Sequence, residues 1–252
     1  MKEVALVSPK PRPTIFAECS GTANSFPLVS WMQAAQNKGH HCRCNKDGKY
    51  GLLTMTFTQQ FLSESTSLLS VLDDGAIEAC AIGLSAVRDR GGRLFILGVG
   101  GSAAHASHAV NDFRKICGFE AYSPTDNIAE LTARVNDDGW DTVFRSWLAS
   151  SRLSAADGVL VFSVGGGNEE RGVSTILVRA LELAVERRAS IYGIVGRDGG
   201  YTAGVADACV VIPPLYPDRV TPHTEGLCAV VWHLLVSHPV LARSETKWES
   251  VS

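Results

Sequence analysis

The stretch LFILGVGGS at residues 94–102 joins a four-residue apolar run to a glycine-rich turn. Further apolar runs lie at 158–162, 191–195 and 208–212, and the first two of these also lead into glycine-rich turns. A stretch with helical periodicity, residues 174–188, separates two of the runs. Apolar runs of this length that alternate with helices are typical of a mainly parallel sheet covered on both faces. We therefore expect an α/β fold, a three-layer sandwich around such a sheet.

Upstream of this sheet, apolar residues recur at helical spacing between Phe57 and Val87. This predicts an N-terminal helical region at 58–90, formed by two helices or one bent helix. Residues 1–56 show no period and are expected to be an extension of unknown structure. They contain a cluster of histidine and cysteine, but adjacent ligands without a second spaced pair match a structural zinc site poorly; the cluster is His40, His41, Cys42 and Cys44. The domain organisation we expect is an extension at 1–56, a domain at 57–240 and a tail at 241–252.

The composition excludes several partners. The 252 residues include 23 Lys plus Arg and 26 Asp plus Glu, a net charge of −3, which gives no broad attraction to nucleic acid or anionic lipid. Apolar stretches are interrupted before the roughly 20 residues that a membrane helix needs, and the first residues lack the apolar run of a signal peptide. We expect a cytoplasmic protein without a nucleic-acid or membrane partner. The seven scattered cysteines favour reduced thiols, with Cys80, Cys209 and Cys228 in the core.

The turns at 98–102 and 163–168 follow predicted strands. In doubly wound sheets, ligands bind beyond the carboxyl ends of the strands, where helix N-termini offer free N–H groups to anions. Both turns are therefore candidates for holding an anionic group, although any tight connection between a strand and a helix can use glycine. The sequence completes neither GxxxxGK[ST] nor a GxGxxG motif with a suitable acid, which disfavours ATP and NAD.

Two pairs of polar residues have helical spacing. His108 and Asp112 are four apart on the helix that is predicted to begin near Ser102, so they share one face. Glu225 and His233 are eight apart, which places them about 80° apart around a helix. Two helices can thus bring four metal ligands or acid–base groups to one cleft. The alternative is a surface ion pair at 108 and 112 and a partly buried histidine at 233.

The order and spacing of these segments resemble the phosphoheptose isomerase branch of the sugar isomerase (SIS) superfamily. The resemblance rests on 98–112, Asn136-Asp137, GRDGG at 196–200 and Asp218-Arg219, and it covers roughly residues 58–238. Members have a flavodoxin-like fold, a GNGGS loop followed by histidine and glutamate four apart, and a helix with glutamine and histidine eight apart. The resemblance implies an aldose–ketose isomerase for a sugar phosphate, with sedoheptulose 7-phosphate as the first candidate.

Carried over by position, the resemblance implies that Asp112 is the catalytic base and His233 its acid–base partner. It assigns substrate binding to Gly100, Gly101, Ser102, Asn136, Asp137, Ser163, Val164, Gly165, Ser174 and Glu225. The sequence departs from the family where Val99 replaces asparagine, Asp112 replaces glutamate and Glu225 replaces glutamine. The phosphate loop keeps a serine at 163, and Ser174 after an insertion stands for its last serine. Arg171 in the insertion either adds charge or lies exposed at a helix start.

The resemblance also implies a cofactor and an assembly. Zinc is expected, because related isomerases can bind it and the residue types suit it; the expected ligands are His108, Asp112, Glu225 and His233. A homo-oligomer is expected, a tetramer in preference to a dimer, with sites at subunit interfaces. The alternative from another class is a noncatalytic SIS module that senses a sugar phosphate or bridges partners, like the DnaA initiator-associating relatives. An etherase or aminosugar-phosphate isomerase is disfavoured, because those relatives usually have longer or duplicated domains.

Overall fold

The computed structural model describes residues 40–44 and 50–247, with only the backbone of 40–44 and 50–54. The chain divides into two compact units, 1–64 and 65–252. In the first unit, β1 (His40–Cys44) and β2 (Tyr50–Thr54) form an antiparallel pair. The side chains of His40, His41, Cys42 and Cys44 lie outside the described residues. The domain boundaries expected near 57 and 240 stay predictions.

The helical region before the sheet consists of two helices, which is one of the two predicted forms. They are α1 (Phe57–Leu69) and α2 (Asp74–Asp89). Asp73 determines where α2 begins, because its Oδ1 accepts a hydrogen bond from the N–H of Ala76 at 3.0 Å. The buried face of α2 repeats every three or four residues and contains Ile77, Cys80, Ala81, Leu84 and Val87.

Five parallel strands form the central sheet, and this confirms the predicted fold class. They are β3 (Leu94–Leu97), β4 (Ala121–Tyr122), β5 (Gly158–Ser163), β6 (Ser190–Gly196) and β7 (Ala208–Ile212). Their order is β4-β3-β5-β6-β7. The chain direction across the sheet therefore reverses between β3 and β5, and such a switch point opens a crevice beyond the carboxyl ends of the two strands.

Helices cover both faces of the sheet. They are α3 (Gly101–Lys115), α4 (Ile128–Asp138), α5 (Val143–Ser150), α6 (Thr175–Glu186), α7 (Gly200–Val205) and α8 (Val220–Ser237). Leu94 and Ile96 of β3 pack with α2, α3 and α8, whereas Phe95 and Leu97 pack with α5 and α6. Because adjacent side chains of a strand point to opposite faces, a fully apolar strand fills both layers of the core.

The cysteines in this core act as small apolar residues. Cys80 and Cys228 are buried and Cys209 is half-buried. Burial raises the pKa of Cys80 and of Cys228 to about 12 and that of Cys209 to about 11. The three thiols are therefore protonated near neutral pH and are poor nucleophiles.

The chain beyond α8 continues to pack on the fold. Leu241 is buried, and the N–H groups of Arg243 and Ser244 both donate to the carbonyl of Ile116. These contacts connect the start of the expected tail to the end of α3. Within 40–44 and 50–247, none of the helices combines the length and apolar character needed to cross a membrane.

Candidate functional site

A pocket of about 430 Å³ opens at the switch point of the sheet. Six of the residues predicted to bind substrate line it, namely Ser102, Ser163, Val164, Gly165, Ser174 and Glu225. Six more residues complete its lining, namely Val99, Asn168, Arg171, Val173, Arg197 and Asp198. The lining comes from the ends of β3, β5 and β6 and the loops that follow them, from the first turn of α3, from the residue before α6 and from the second turn of α8. The turns predicted from glycine content therefore meet at one place.

The loop after β5 is held by its own serine and by the loop after β6. The Oγ of Ser163 accepts hydrogen bonds from the N–H groups of Gly165 at 3.3 Å and Gly166 at 3.0 Å. The carbonyl of Gly166 accepts from the N–H and Oγ1 of Thr202, at 3.0 and 2.7 Å. These bonds fix the backbone that forms the floor of the pocket.

The insertion after this loop is an ordered turn. Asn168 and Val173 exchange backbone hydrogen bonds of 2.8 and 2.9 Å, and the Oδ1 of Asn168 accepts from the N–H of Arg171 at 2.8 Å. Glu169 forms an ion pair of 2.6 Å with Arg179 of α6. The turn therefore presents the side chain of Arg171 to the pocket beside Ser174, the residue that precedes α6.

Glu225 lines the pocket from α8. A Cβ atom added to Gly101 would lie 2.6 Å from the Oε1 of Glu225, so the absence of a side chain at 101 lets the carboxylate lie close to the backbone. The carboxylate thus reaches the first turn of α3, where the partial positive charge of a helix N-terminus favours an anion. Glu225 therefore brings a carboxylate to the pocket next to the start of α3.

His108, Asp112 and His233 converge where α3 and α8 run side by side. Their ligand atoms lie within 4.8 Å of one another. The Nε2 of His108 is 3.5 Å from the Oδ2 of Asp112, and the Nδ2 of Asn111 donates to the Oδ1 of Asp112 at 2.8 Å. The Nδ1 of His233 contacts the carbonyl of Ala229 at 2.7 Å. Because a carbonyl only accepts, Nδ1 carries the proton and the Nε2 of neutral His233 keeps its lone pair.

A buried tryptophan orders the two imidazoles of this cluster. The ring of Trp232 is 4.8 Å from that of His108, edge to face, and 3.5 Å from that of His233, stacked. Trp232 is fully buried in the core between α8 and the sheet. The positions of both imidazoles therefore depend on the packing of α3 against α8, which no single helical pattern in the sequence reveals.

The cluster lies farther along the same two helices than the pocket. Ser102 and Glu225 line the pocket, whereas His108, Asp112 and His233 do not. Eight residues of helix, the separation of Glu225 and His233, span about 12 Å along the axis. Glu225, the fourth expected metal ligand, is therefore outside the three-residue cluster.

His105 connects the cluster to Glu225 and was missed in the sequence. Burial lowers the pKa of His105, the charges of His108 and His233 lower it further, and Glu225 opposes them. These interactions place its imidazole near all three side chains. Its position three residues before His108, on the same face of α3, was the signal that the sequence offered.

The predicted pair Asn136 and Asp137 does not reach the pocket. Both residues are exposed in the last turn of α4, where the Nδ2 of Asn136 donates to the Oδ1 of Asp137 at 2.8 Å. Their role in binding substrate stays a prediction, because neither residue lines the pocket of a single chain.

The three-residue cluster fits a zinc ion by the chemistry of its donors. Two imidazoles and one carboxylate form a ligand set that zinc uses in catalytic sites, where a further position stays open to water or substrate. The hydrogen bond from the Nδ1 of His233 to the carbonyl of Ala229 is of the kind that orients a metal-binding imidazole.

Comparison with known proteins places the chain in a family, although no family model matches it. The lincomycin biosynthesis protein LmbN of Streptomyces lincolnensis is 32% identical over 191 residues, covering 73% of this chain and 69% of LmbN. The phosphoheptose isomerase of Rhodospirillum rubrum is 30% identical over 163 residues, covering 63% of this chain and 80% of that enzyme.

Solved structures support the fold. A phosphoheptose isomerase from Neisseria gonorrhoeae matches with a TM-score of 0.61 and 24% identity over 71% of this chain and 95% of that one. A phosphoheptose isomerase from Francisella tularensis also gives 0.61, with 19% identity over 73% of this chain and 97% of that one. With the curated relatives, these matches confirm the resemblance: the chain belongs to the phosphoheptose isomerase branch of the SIS superfamily.

Proposed function

We propose that this protein is an aldose–ketose isomerase that acts on a sugar phosphate, most simply sedoheptulose 7-phosphate to D-glycero-D-manno-heptose 7-phosphate. The observation that supports it best is the convergence of a carboxylate and an imidazole, Asp112 and His233, along the helices that also line the pocket. Family membership supplies the reaction class, and the cluster supplies the groups that such a reaction needs.

Isomerisation moves a proton between C1 and C2 through an enediol, so it needs a base for carbon and a second group for the oxygen protons. Asp112 takes the proton from carbon and returns it to the neighbouring carbon. Asn111 and His108 contact the two oxygens of its carboxylate and hold it in place. His233, with a free Nε2, exchanges protons with the substrate oxygens or opens the sugar ring.

The phosphate occupies the pocket, where Ser163, Ser174 and loop N–H groups anchor it. The pocket and the cluster share no residue, so the phosphate and the reacting carbons are bound at separate places, which favours a long sugar. Binding energy from the phosphate is thereby used to orient C1 and C2 against Asp112.

We further propose that His108, Asp112 and His233 hold zinc, with a further position open to water or substrate. When bound, zinc polarises the substrate carbonyl and stabilises negative charge on oxygen. The protein residues retain the tasks of binding the phosphate and of positioning the acid and the base.

The test uses purified protein with sedoheptulose 7-phosphate and a panel of other ketose phosphates, with and without added zinc. Wild type is expected to exchange the C1 or C2 proton of one of them with solvent. Asp112→Asn and His233→Ala are expected to lower kcat by at least about 100-fold, the usual contribution of a positioned acid or base. Asp138→Asn, an exposed aspartate at the end of α4, and His238→Ala, beyond the end of α8, are the matched controls.

Absence of proton exchange on every sugar phosphate would reject the isomerase in favour of a noncatalytic SIS module that binds a sugar phosphate. Full turnover by Asp112→Asn would leave the reaction class in place and remove the assignment of the base.

A further inference from the structure

Two arginines line the pocket. Arg171 and Arg197 line it, and among the described residues neither guanidinium is within ion-pair distance of an Asp or Glu. Other arginines of the same region are engaged, as Arg179 is with Glu169 and Glu182 and Arg145 is with Glu186. Two unpaired guanidinium groups at one concave surface form an unsatisfied site for an anion.

The backbone presents both arginines in fixed positions. Arg197 has φ 58°, and its Cδ lies 3.7 Å from the place of a Cβ on Gly165, so its side chain runs over the loop after β5. Arg171 stands in the turn that Asn168 and Val173 close. The side chains therefore approach the same loop from two neighbouring strand ends.

Positive φ values at residues other than glycine give a second reason to regard this part of the pocket as a binding site. Four described residues have them, and two, Arg152 and Arg188, stand two residues beyond the last residues of α5 and α6, where a left-handed residue commonly ends a helix. The other two, Ser174 and Arg197, line the pocket and follow no helix. An unfavourable backbone conformation that has no role in ending a helix is typical of a functional site.

The lining of the pocket contains two carboxylates beside the two arginines. Asp198 accepts from the N–H of Gly200 at 3.2 Å, and Glu225 lies against Gly101 near the start of α3. The neighbour of Arg171 in the turn, Glu169, is paired with Arg179. Arg171 and Arg197 thus bring positive charge to the lining that contains Ser163, Gly165 and Ser174. The carboxylates of Asp198 and Glu225 belong to the same lining, and Glu225 lies against the start of α3.

We propose that Arg171 and Arg197 bind the phosphate group of the substrate. Their charge takes the place of the serine hydroxyl groups that the loop after β5 lacks in comparison with the family pattern. The identity of the anion as a sugar phosphate rests on the proposed function, whereas the anion site itself does not. Arg171 is the residue that determines specificity for a dianionic phosphate monoester, because it belongs to the insertion that interrupts the serine-rich loop pattern.

The experiment measures binding of inorganic phosphate to the full chain by calorimetry in wild type, Arg171→Gln, Arg197→Gln and the matched control Arg187→Gln. Arg187 is exposed at the end of α6, away from the pocket. We expect each pocket variant to weaken phosphate binding about 10-fold, since charge-assisted hydrogen bonds contribute that order of affinity. The control is expected to bind like wild type. Arg171→Gln keeps the backbone N–H that Asn168 accepts, so the turn is retained, and Arg171→Lys is expected to regain part of the affinity.

A second measurement separates this inference from the proposed function. For an active sugar phosphate, Arg171→Gln is expected to raise KM about 10-fold with little change in kcat, because it removes binding that is remote from the reacting carbons. Arginine-dependent phosphate binding without turnover of any sugar would reject the isomerase and keep the anion site. Phosphate affinities of both pocket variants within about twofold of wild type, or no phosphate binding by wild type, would overturn the anion site even if the isomerase is active.

Discussion

Asp157 is a buried carboxylate that joins β3 to the turn before β5. It accepts five hydrogen bonds, from the N–H, Nε and Nη2 of Arg93 and from the N–H and Oγ of Ser154. Burial by itself raises its pKa, but the hydrogen bonds from Arg93 and Ser154 outweigh this and hold the pKa of Asp157 below its ordinary value. The ionised form is therefore the one that stabilises the fold.

Asp157→Asn is expected to lower the free energy of unfolding by about 2–4 kcal/mol at pH 7, because it breaks a buried ion pair and leaves Arg93 without a carboxylate. The lowered pKa also determines how the contribution of Asp157 to stability changes with pH. The contribution of Asp157 is complete above the ordinary aspartate pKa of about 3.9 and is lost as pH falls through the lower folded value.

Urea unfolding at pH 7 and at several pH values below 4 measures both effects. Asp138→Asn, which alters an exposed aspartate, is the control. Equal loss of stability in acid for wild type and Asp157→Asn would contradict the assignment of this carboxylate.

At the scale of single residues, the sequence predicted more of the pocket than of the cluster geometry. Ser102, Ser163 and Ser174 follow strands or precede helices, so their meeting at the sheet edge is a consequence of topology. Arg197 was not predicted, because nothing in its sequence neighbourhood indicates that its guanidinium lacks a partner. The offset of Glu225 from His108 and His233 depends on how two helices pack, which periodicity does not fix.

At the scale of elements, the loops after β5 and β6 pack backbone against backbone. A Cβ on Gly166 would lie 1.9 Å from the carbonyl oxygen of Gly199, and Gly166 has φ +68°. Gly172, in the neighbouring turn, has a similar φ of +62° but no atom within 4 Å of the same place. The two glycines thus separate the effect of backbone conformation from the effect of close approach.

Gly172→Ala is expected to cost about 1 kcal/mol, the strain of a left-handed alanine, and to leave phosphate binding within about twofold. Gly166→Ala adds a clash with a main-chain atom, so we expect a larger loss of stability and a loss of phosphate binding of at least about 10-fold. Thermal unfolding and calorimetry on both variants measure the contrast. Equal effects of the two substitutions would show that the close packing of the loops is unimportant.

Most strands were predictable because their signal is local. The runs at 94–97, 158–162, 191–195 and 208–212 differ from the observed strands by no more than a residue or two at each end. β4 was missed because Ala121–Tyr122 is too short to give a run. α4 was missed although Ile128, Leu131 and Val135 repeat at helical spacing; none of its residues is buried, and only Leu131 packs against the core.

At the scale of the whole molecule, α8 has apolar residues on its outer side as well as on its buried side. Val230 and Leu234 are 45% and 42% exposed and flank His233, which is also exposed. A helix that is apolar around its circumference is usually buried. This outer side therefore supports the expected homo-oligomer, in which a second copy would cover the helix next to the cluster of His108, Asp112 and His233.

Val230→Asp and Leu234→Asp are expected to shift the protein to a smaller species in sedimentation velocity, because each places a charge on the surface to be covered. Ser237→Asp, which adds the same charge at an exposed polar position of α8, is the control. A monomeric wild type at micromolar concentration would contradict the expected assembly.

The short turn between Asn168 and Val173 allows ligand preference to be changed separately from the stability of the fold. Its own hydrogen bonds close it, and its ion pair from Glu169 to Arg179 is exposed and contributes little to stability. Libraries confined to residues 169–173 can therefore diversify ligand preference while the sheet, the glycine loops and the helix pair that carries Asp112 stay intact. Natural substitutions in this one connection are expected to change ligand preference in the same way and to leave Asp112 in place.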